Sequence, residues 1–534
     1  MKIRVISDAV CNGIFRDLPK IDNIKFDVSF APVDQFVPEI LKSENHDFLI
    51  IHLTQYAFNS YSINNNYLVA LQEILKTLKV CIKKNKIKVI LNTIYFNDLP
   101  FDQSEFISNQ EMILKCNSLM LEIAKDSPSD ILLVDVAQII SRYGASDNLN
   151  LRNYSVMRSP YSKKLSLAIK EEYILHLKNY FSPRIKVLLL DADNTLWGGV
   201  IGEDGVDGVK INHEYPGSIY YYFQQNLIRL KESGMILCLV TKNNLFDIEE
   251  IFNERDMPLS IDDFVEIKAN WEPKSKNIEE LLISLNVGAS SVIFIDDNPF
   301  EIEEVQRVHT EMSCIRFDIN NFEKQFDELY KSSGLYAHNL TDEDKIKTES
   351  YIQEKQRKIN MQESSSIEDY LSSLDMEISI FHNKNEHIPR ISQLTQKTNQ
   401  FNLTTKRSSV SDIENFFMNG SVYSFSVKDR FGDMGIVGVV IIDKENKIDT
   451  FLLSCRAFGR HIEKAMLSEA LKDNNKYPIF SSYIASSKNK MTEEFYKENG
   501  FLEESNNNNG NFKTYFIEKA VKCDIDFYGE IKWI

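Results

Sequence analysis

Residues 186–199 read Lys-Val-Leu-Leu-Leu-Asp-Ala-Asp-Asn-Thr-Leu-Trp-Gly-Gly, and this stretch decides the fold. Val187 to Leu190 is an unbroken aliphatic run, which marks a strand buried on both faces of a parallel sheet. Asp191, Asn194 and the Gly198-Gly199 pair follow at once; these turn formers end the run as a strand. Asp191 and Asp193 therefore stand just past a strand's carboxyl end, where open α/β sheets build their sites. Alone, an Asp-x-Asp turn could equally cap a helix.

Working outward, similar runs at 2–7, 47–53, 87–93, 131–136, 236–240 and 292–295 read as strands. Helical patterns at 66–84, 109–125, 218–233 and 275–286 lie between them. That alternation predicts two parallel α/β units, 1–182 and 183–335, joined at the Pro-bearing stretch 180–186. Residues 336–375 are charged and read as a helical connector. From 376 the character changes: SVYSFSVKD, GIVGVVIID and IDTFLLSC look like neighbouring antiparallel strands, with a helix at about 461–473 and a polar turn in the tail at NNNNG. The fold class expected is a multidomain α/β protein whose last domain, 376–534, is α+β.

A chain of 534 residues exceeds one ordinary core, and 43% hydrophobic with 26% charged residues is a soluble globular composition. A net charge of −17 argues against a general nucleic-acid binder. No run of about 18 apolar residues exists, so no membrane span is expected, and MKIRVISDAVCNGIF reads as a first strand rather than a secretory leader. Seven scattered Cys without a Cys-x-x-Cys suggest a reduced, cytoplasmic protein without a zinc site.

The strand-end residues carry the chemistry. The 236–240 strand runs into Thr241-Lys242-Asn243, NWEPKS places Lys274 before a helix, and the 292–295 strand runs into Asp296-Asp297. Phosphoryl transfer needs such a set: a carboxylate to attack phosphorus, a second to protonate the leaving oxygen, a hydroxyl and a Lys to hold phosphate oxygens, and carboxylates for Mg²⁺. The order resembles the haloacid dehalogenase (HAD) phosphatase superfamily. That resemblance implies Asp191 as nucleophile and Mg²⁺ ligand. It implies Asp193 as general acid/base whose carbonyl also meets the metal, and Thr241, Lys242, Asn243 and Lys274 around the phosphate. Asp296 or Asp297 completes the Mg²⁺ site, and the flap TLWGGVIGEDG turns back over it at the Gly pair. Neither the gap from Asp191 to Thr241 nor that from Lys274 to Asp296 has room for a cap domain, which suits a bulky or protein-borne substrate.

LLSCRAFGRHIEKAMLSEAL, with SSKNKMTEEFYKENGF downstream, resembles the GNAT acyltransferase fold. There a strand leads into an Arg/Gln-x-x-Gly-x-Gly/Ala loop whose amides hold a pyrophosphate. Here Arg456, Gly459 and Arg460 match or adjoin it, and His461 replaces the last small residue. The resemblance implies a groove for a phosphopantetheine arm. Cys455, at the strand's end beside Arg456, Arg460 and His461, is a candidate nucleophile; a small buried residue is the commoner fate of a lone Cys.

Six blocks in register, LLLDADNTLWGGVIGEDG, NWEPKSKNI, FIDDNPFE, QLTQKTNQFNLTTKR, DRFGDMGIVG and LLSCRAFGR, resemble the FkbH-like proteins over nearly the whole chain. That family is associated with loading a glyceryl unit from 1,3-bisphosphoglycerate onto an acyl carrier protein. The resemblance implies Cys455 as thioester carrier, His461 as base, and an acidic carrier surface meeting Lys397, Lys406, Arg407, Arg430 or Arg460. It also implies an SGNH-hydrolase-like first domain, with Ser7-Asp8 and Asn92 at strand ends. The Asp-x-x-His that should complete a triad is missing from 157–169, so a scaffold or recognition domain is expected rather than an esterase.

Overall fold

The computed structural model describes residues 1–21, 24–57, 65–85, 87–97, 100–336, 347–486, 488–504, 512–519 and 527–534, without the side chains of 65, 347–350, 352, 355, 358, 359 and 455. The NNNNG tail turn and part of the 336–375 segment lie outside these residues. The chain forms two compact units, Met1–Lys345 and Ile346–Ile534.

The first unit holds two five-stranded parallel sheets. One comprises β1 (Lys2–Ser7), β2 (Asp27–Phe30), β3 (Phe48–His52), β4 (Lys88–Asn92) and β5 (Ile131–Val134) in the order β2-β1-β3-β4-β5. The other comprises β6 (Val187–Leu190), β7 (Ile236–Thr241), β8 (Phe264–Ala269), β9 (Val292–Asp296) and β10 (Ser313–Arg316) in the order β10-β9-β6-β7-β8. β6 is central: Leu190 registers with Leu239 on one side and Ile295 on the other. Every residue of β6 is buried, because helices cover both faces of a parallel sheet. Three strands went unread in the sequence, β2, β8 and β10, and all are sheet edges. The helix expected from 109 starts at Gln103, where the Asp102 side chain accepts from the Glu105 amide at 2.9 Å.

Two helix starts aim the site. Asn298 caps the helix Pro299–Val308, accepting from the Phe300 amide at 3.0 Å, and Pro299 takes the first helical position. The turn from β9 into that helix is therefore tight, and Asp296-Asp297 stay at the strand end. The helix Lys274–Ser284 follows Pro273, with Lys274 at its first position. The loop before it is clamped by reciprocal amide bonds, Asn277 Nδ2 to Asn270 Oδ1 at 2.8 Å and Asn270 Nδ2 to Asn277 Oδ1 at 3.1 Å.

In the second unit a mostly antiparallel sheet is built from β11 (Met376–His382), β12 (Phe401–Asn402), β13 (Ser421–Asp429), β14 (Gly432–Ile442), β15 (Lys447–Leu453), β16 (Ile479–Ile484), β17 (Leu502–Glu503), β18 (Phe512–Ile517) and β19 (Gly529–Trp533). The path is β17-β18-β16-β15-β14-β13-β11-β19, with β12 beside β15. β15 and β16 are parallel and pair only at Lys447↔Phe480 and Ile448↔Ser481, so they splay apart afterwards. A central antiparallel run, a splayed parallel pair and a helix (Ile462–Asn474) leading from β15 make this a GNAT-like α+β fold. The later part of the expected helical connector is helical and anchored: Arg357, on the helix Lys347–Glu363, is buried and grips Asp429 through Nε at 2.6 Å and Nη2 at 2.8 Å.

Candidate active site at the carboxyl edge of the second sheet

Sheet order brings together residues far apart in sequence. Asp191 follows β6, and its amide donates to the Ile295 carbonyl of β9 at 3.0 Å. That places it beside Asp296, the last residue of β9. Lys274 reaches between them, its Nζ 2.6 Å from Asp191 Oδ1 and 2.5 Å from Asp296 Oδ2. Asp191, Asp296 and Asp297 each offer a carboxylate oxygen, and the three lie within 4.8 Å of one another.

The cluster is dry. Lys274 and Asp191 are 3% and 5% exposed, and Asp296 is wholly buried. Burial raises the Asp191 carboxyl to about 7; the Lys274 charge opposes the rise and Asp296 adds to it. Asp297 rises to about 6 by burial and then by the Asp296 charge. Asp296 is raised by burial as well, against Lys274. Burial pulls the Lys274 ammonium down, but its two carboxylate partners outweigh it and its pKa stands above the ordinary value. Three carboxylates crowd one buried cation, so the site carries an excess of negative charge that a hard divalent cation would balance. This donor set, all oxygen and compact, fits Mg²⁺ at Asp191, Asp296 and Asp297.

The other predicted residues arrange themselves around this cluster. Asp193 turns its carboxylate into the flap: Oδ1 accepts from Trp197 Nε1 at 2.9 Å and the Ile201 amide at 3.1 Å, and Oδ2 accepts from Asn243 Nδ2 at 2.9 Å. Asn243 Nδ2 also reaches Thr241 Oγ1 at 2.9 Å, which leaves the Thr241 hydroxyl hydrogen to donate. Lys242 does not join them. Its Nζ pairs with Glu301 Oε1 at 2.6 Å, so its expected phosphate role gives way to a tie between the loop after β7 and the helix after β9. Sequence reasoning also missed Glu304, which holds the first turn of the Lys274 helix through the Ser275 amide at 3.2 Å and the Ser275 hydroxyl. A carboxylate at that helix N-terminus also meets the positive end of its dipole.

The Gly pair in the flap has two separate reasons. Gly199 has φ +100°, a conformation that favours glycine, and its amide donates to Asn194 Oδ1 at 2.9 Å. Gly198 lies against Tyr220, where an added Cβ would come within 2.8 Å of the ring.

In the first sheet, Ser7 Oγ accepts from the Ala9 amide at 3.0 Å and lies 3.4 Å from Cys11 Sγ. The Asn92 amide donates to the carbonyls of Leu53 at 2.9 Å and Thr93 at 2.8 Å, so both its hydrogens are committed internally. His52 registers with Ser7 on the neighbouring strand, but its ring nitrogens each lie 2.9 Å from a tyrosine hydroxyl, Tyr173 and Tyr161. Burial lowers its pKa to about 3.

In the second unit, Cys455 opens the turn Cys455–Ala457, and its side chain lies outside the described residues. His461 caps the helix Ile462–Asn474 with φ +59°, and Gly459 has φ +80°. His461 thus holds a left-handed conformation at the place where the GNAT loop has its last small residue. Arg460 departs from its expected role as an acyl contact. It is 5% exposed, and its guanidinium is drawn inward to Glu354 at 3.1 Å and the Arg456 carbonyl at 2.6 Å. Other residues expected to face a carrier are also engaged within the unit. Lys406 pairs with Asp449, Arg430 donates to Asn360 at 2.6 Å, and Arg407 donates to backbone carbonyls and Asn399.

The groove between β15 and β16 is not open. Phe401 and Asn402 pair with Leu453 and Leu452 of β15, the Leu403 amide donates to Phe451 at 3.1 Å, and the Ile484 amide of β16 donates to the Leu403 carbonyl at 2.8 Å. Asn489 Nδ2 closes the remaining carbonyl of Asn402 at 2.9 Å. The chain's own segment thus satisfies the backbone groups that an extended pantetheine arm would have used there.

No family model and no curated protein matches this chain. Among solved structures, it is similar to the N-terminal part of a Bacteroides fragilis protein containing a phosphatase domain, solved with Mg: identity is 23%, 64% of this chain and 94% of that one are covered, and the TM-score is 0.54. That likeness establishes the fold of the first unit. A GNAT-family acetyltransferase of Desulfovibrio desulfuricans matches at 13% identity over 26% of this chain and 98% of that one, with a TM-score of 0.22. A HAD-family enzyme of Bacteroides thetaiotaomicron, solved with magnesium and inorganic phosphate, matches at 12% over 25% and 95%, with a TM-score of 0.19.

Proposed function

We propose that the chain is a Mg²⁺-dependent HAD-type phosphohydrolase coupled to acyl transfer. The observation that carries the first half is the Asp191–Lys274–Asp296 chain with Asp297 beside it, at one strand edge. Asp191, Asp296 and Asp297 would hold Mg²⁺, which when bound offsets negative charge on the phosphate and the carboxylates. Asp191 attacks phosphorus, and the bond to the leaving oxygen breaks as that oxygen takes a proton from Asp193. Asp193 then takes a proton from water, which attacks the aspartyl-phosphate and frees inorganic phosphate. Thr241 donates to a phosphate oxygen, and Lys274 balances the charge that builds there.

The finer reading rests on the resemblance of the six sequence blocks to FkbH-like proteins; a cytoplasmic location is proposed from the scattered cysteines alone. The Cys455 thiolate attacks the acyl carbon of 1,3-bisphosphoglycerate and expels one phosphate, giving a thioester. The Asp191 site removes the second phosphate. The carrier protein's pantetheine thiol then attacks the thioester, its proton passing to His461, and Cys455 leaves as thiolate.

Intact-protein mass spectrometry tests both halves. The protein is incubated with Mg²⁺, 1,3-bisphosphoglycerate generated in place and a holo-carrier protein. A dephosphorylated glyceryl adduct on Cys455, chased onto the carrier, is expected, with Cys455→Ala losing loading and keeping phosphatase activity. Phosphate release with no adduct on either protein would leave a phosphatase acting on a sugar- or protein-borne phosphate. Loading by Cys455→Ala would remove that residue from the mechanism.

A further inference from the structure

The helix Pro299–Val308 begins just after Asp296-Asp297 and also reaches two other elements of the site. Glu301, in its first turn, pairs with Lys242 at 2.6 Å, one residue past Thr241. One turn later Glu304 engages Ser275, one residue past Lys274, and accepts from both its amide at 3.2 Å and its hydroxyl. His309, which follows the helix, has Nε2 3.0 Å from the Ser275 carbonyl. A carbonyl only accepts, so that ring nitrogen carries a hydrogen. The amide, hydroxyl and carbonyl of Ser275, a residue 7% exposed, are thus all engaged by one neighbouring element.

What this engagement fixes is Lys274. A lysine side chain is a flexible stem, and this one starts from the first position of its helix, where the amides have no partner within the helix. Its Nζ nevertheless stands 2.6 Å from Asp191 and 2.5 Å from Asp296. The Asn270–Asn277 pair ties the helix to its own preceding loop. Glu304 and His309 tie it instead to the element that follows Asp296, so the reach from Lys274 to Asp296 is set across the Ser275 contact.

We propose that Glu304 is a positioning residue of this site: through Ser275 it sets where Lys274 Nζ stands between Asp191 and Asp296, and His309 holds the other side of Ser275. The kinetic arm of the test rests on the phosphohydrolase reading; the labelling arm does not. The full-length protein is acetylated with N-hydroxysuccinimidyl acetate in metal-free buffer, and Lys274 is followed by peptide mass spectrometry. In the wild type Lys274, 3% exposed and paired twice, should resist labelling. Losing two bonds to a charged acceptor opens that turn more often, so Glu304→Ala should label Lys274 at least about tenfold faster. Glu304→Gln, whose amide can accept from the Ser275 N–H and donate to its hydroxyl, should stay close to wild type. Glu301→Gln, one turn away on the same helix, should leave Lys274 protected. With p-nitrophenyl phosphate and Mg²⁺, Glu304→Ala should lower kcat by roughly 10–100-fold with KM little changed, because ångström-scale misplacement costs on the order of 10²-fold. Glu304→Gln should recover most of that loss. Should Glu304→Ala fail to fold, Ser275→Ala, which removes one of the two bonds, takes its place with the same expected direction. Lys274 as protected in the Ala variant as in the wild type overturns the proposal. So does equal labelling in Glu301→Gln, which would mean that the whole helix loosens, and so does a Gln variant no better than Ala. If the wild type hydrolyses no ester, the phosphohydrolase reading fails and the labelling alone decides the role of Glu304.

Discussion

Asp8 offers the sharpest test of how the first sheet is held. It lies at the end of β1, wholly buried, and accepts from the Thr54 amide at 2.9 Å and from the Thr54 hydroxyl. Among the described residues no Lys or Arg pairs with it; burial raises its pKa from 3.8 to about 7, against the Thr54 bonds and with a small push from Asp34. The folded chain thus binds more protons here than the unfolded chain between pH 3.8 and about 7. Stability from this group is highest below that window and falls as pH rises through it. At about 1.4 kcal/mol per pKa unit, the loss by pH 8 is on the order of 4 kcal/mol. Asp8→Asn keeps the acceptor for the Thr54 amide and has no charge to bury. Scanning calorimetry of the full chain at a series of pH values should find the variant's first-unit transition near the wild-type one at pH ~4.5. At pH ~8 it should lie above wild type by roughly 5–6 °C, using ~1.4 °C per kcal/mol for a unit of this size. An offset that stays constant with pH, or shrinks as pH rises, would refute the reasoning. The same result bears on function, because a carboxyl that resists ionisation is a poor partner for activating Ser7.

Lys274→Met leaves Asp191 and Asp296 as adjacent buried acids, and in metal-free buffer should destabilise the first unit by ~3–5 kcal/mol, read from the same transition, together with loss of phosphate release. Arg357→Met strands the buried Asp429 carboxylate and should cost the second unit a similar ~3–5 kcal/mol, read by hydrogen exchange in β13 and β14 with the first unit unchanged. Asp191→Asn should lower phosphate release by at least on the order of 10³-fold in a direct phosphate assay while melting at or above the wild-type temperature, because it removes a buried charge.

How far the sequence could be read follows from burial. β6 and β9 are continuous aliphatic runs because both faces of a central parallel strand are covered, and they are visible as such. β2, β8 and β10 are edges with half-exposed residues, Glu266 and Lys268 of β8 among them, so they carry no aliphatic run to read. DRFGDMG reads as a polar loop, yet its Asp429 is a buried anchor. The partner that makes it one, Arg357, lies 72 residues earlier on a helix whose sequence looks like a solvated linker.

The residues of the candidate site were legible for one local reason: each ends or follows a strand or opens a helix, and turn chemistry there shows in a few adjacent letters. Asp191, Asp193, Thr241, Lys274, Asp296 and Asp297 could therefore be named from the sequence alone. Which of them meet depends on strand order, and strand order is settled by packing across the whole sheet. Only the folded chain puts Lys274 between Asp191 and Asp296, turns Asp193 toward Asn243 and the flap, and sends Lys242 to Glu301. The second unit shows the same division. A strand–loop–helix motif at 452–474 is local and readable. The filling of its splayed strands by Phe401–Leu403 and the inward turn of Arg460 are long-range pairings of buried backbone and charge. Those groups had to be satisfied within the protein, and no adjacent residue shows by what.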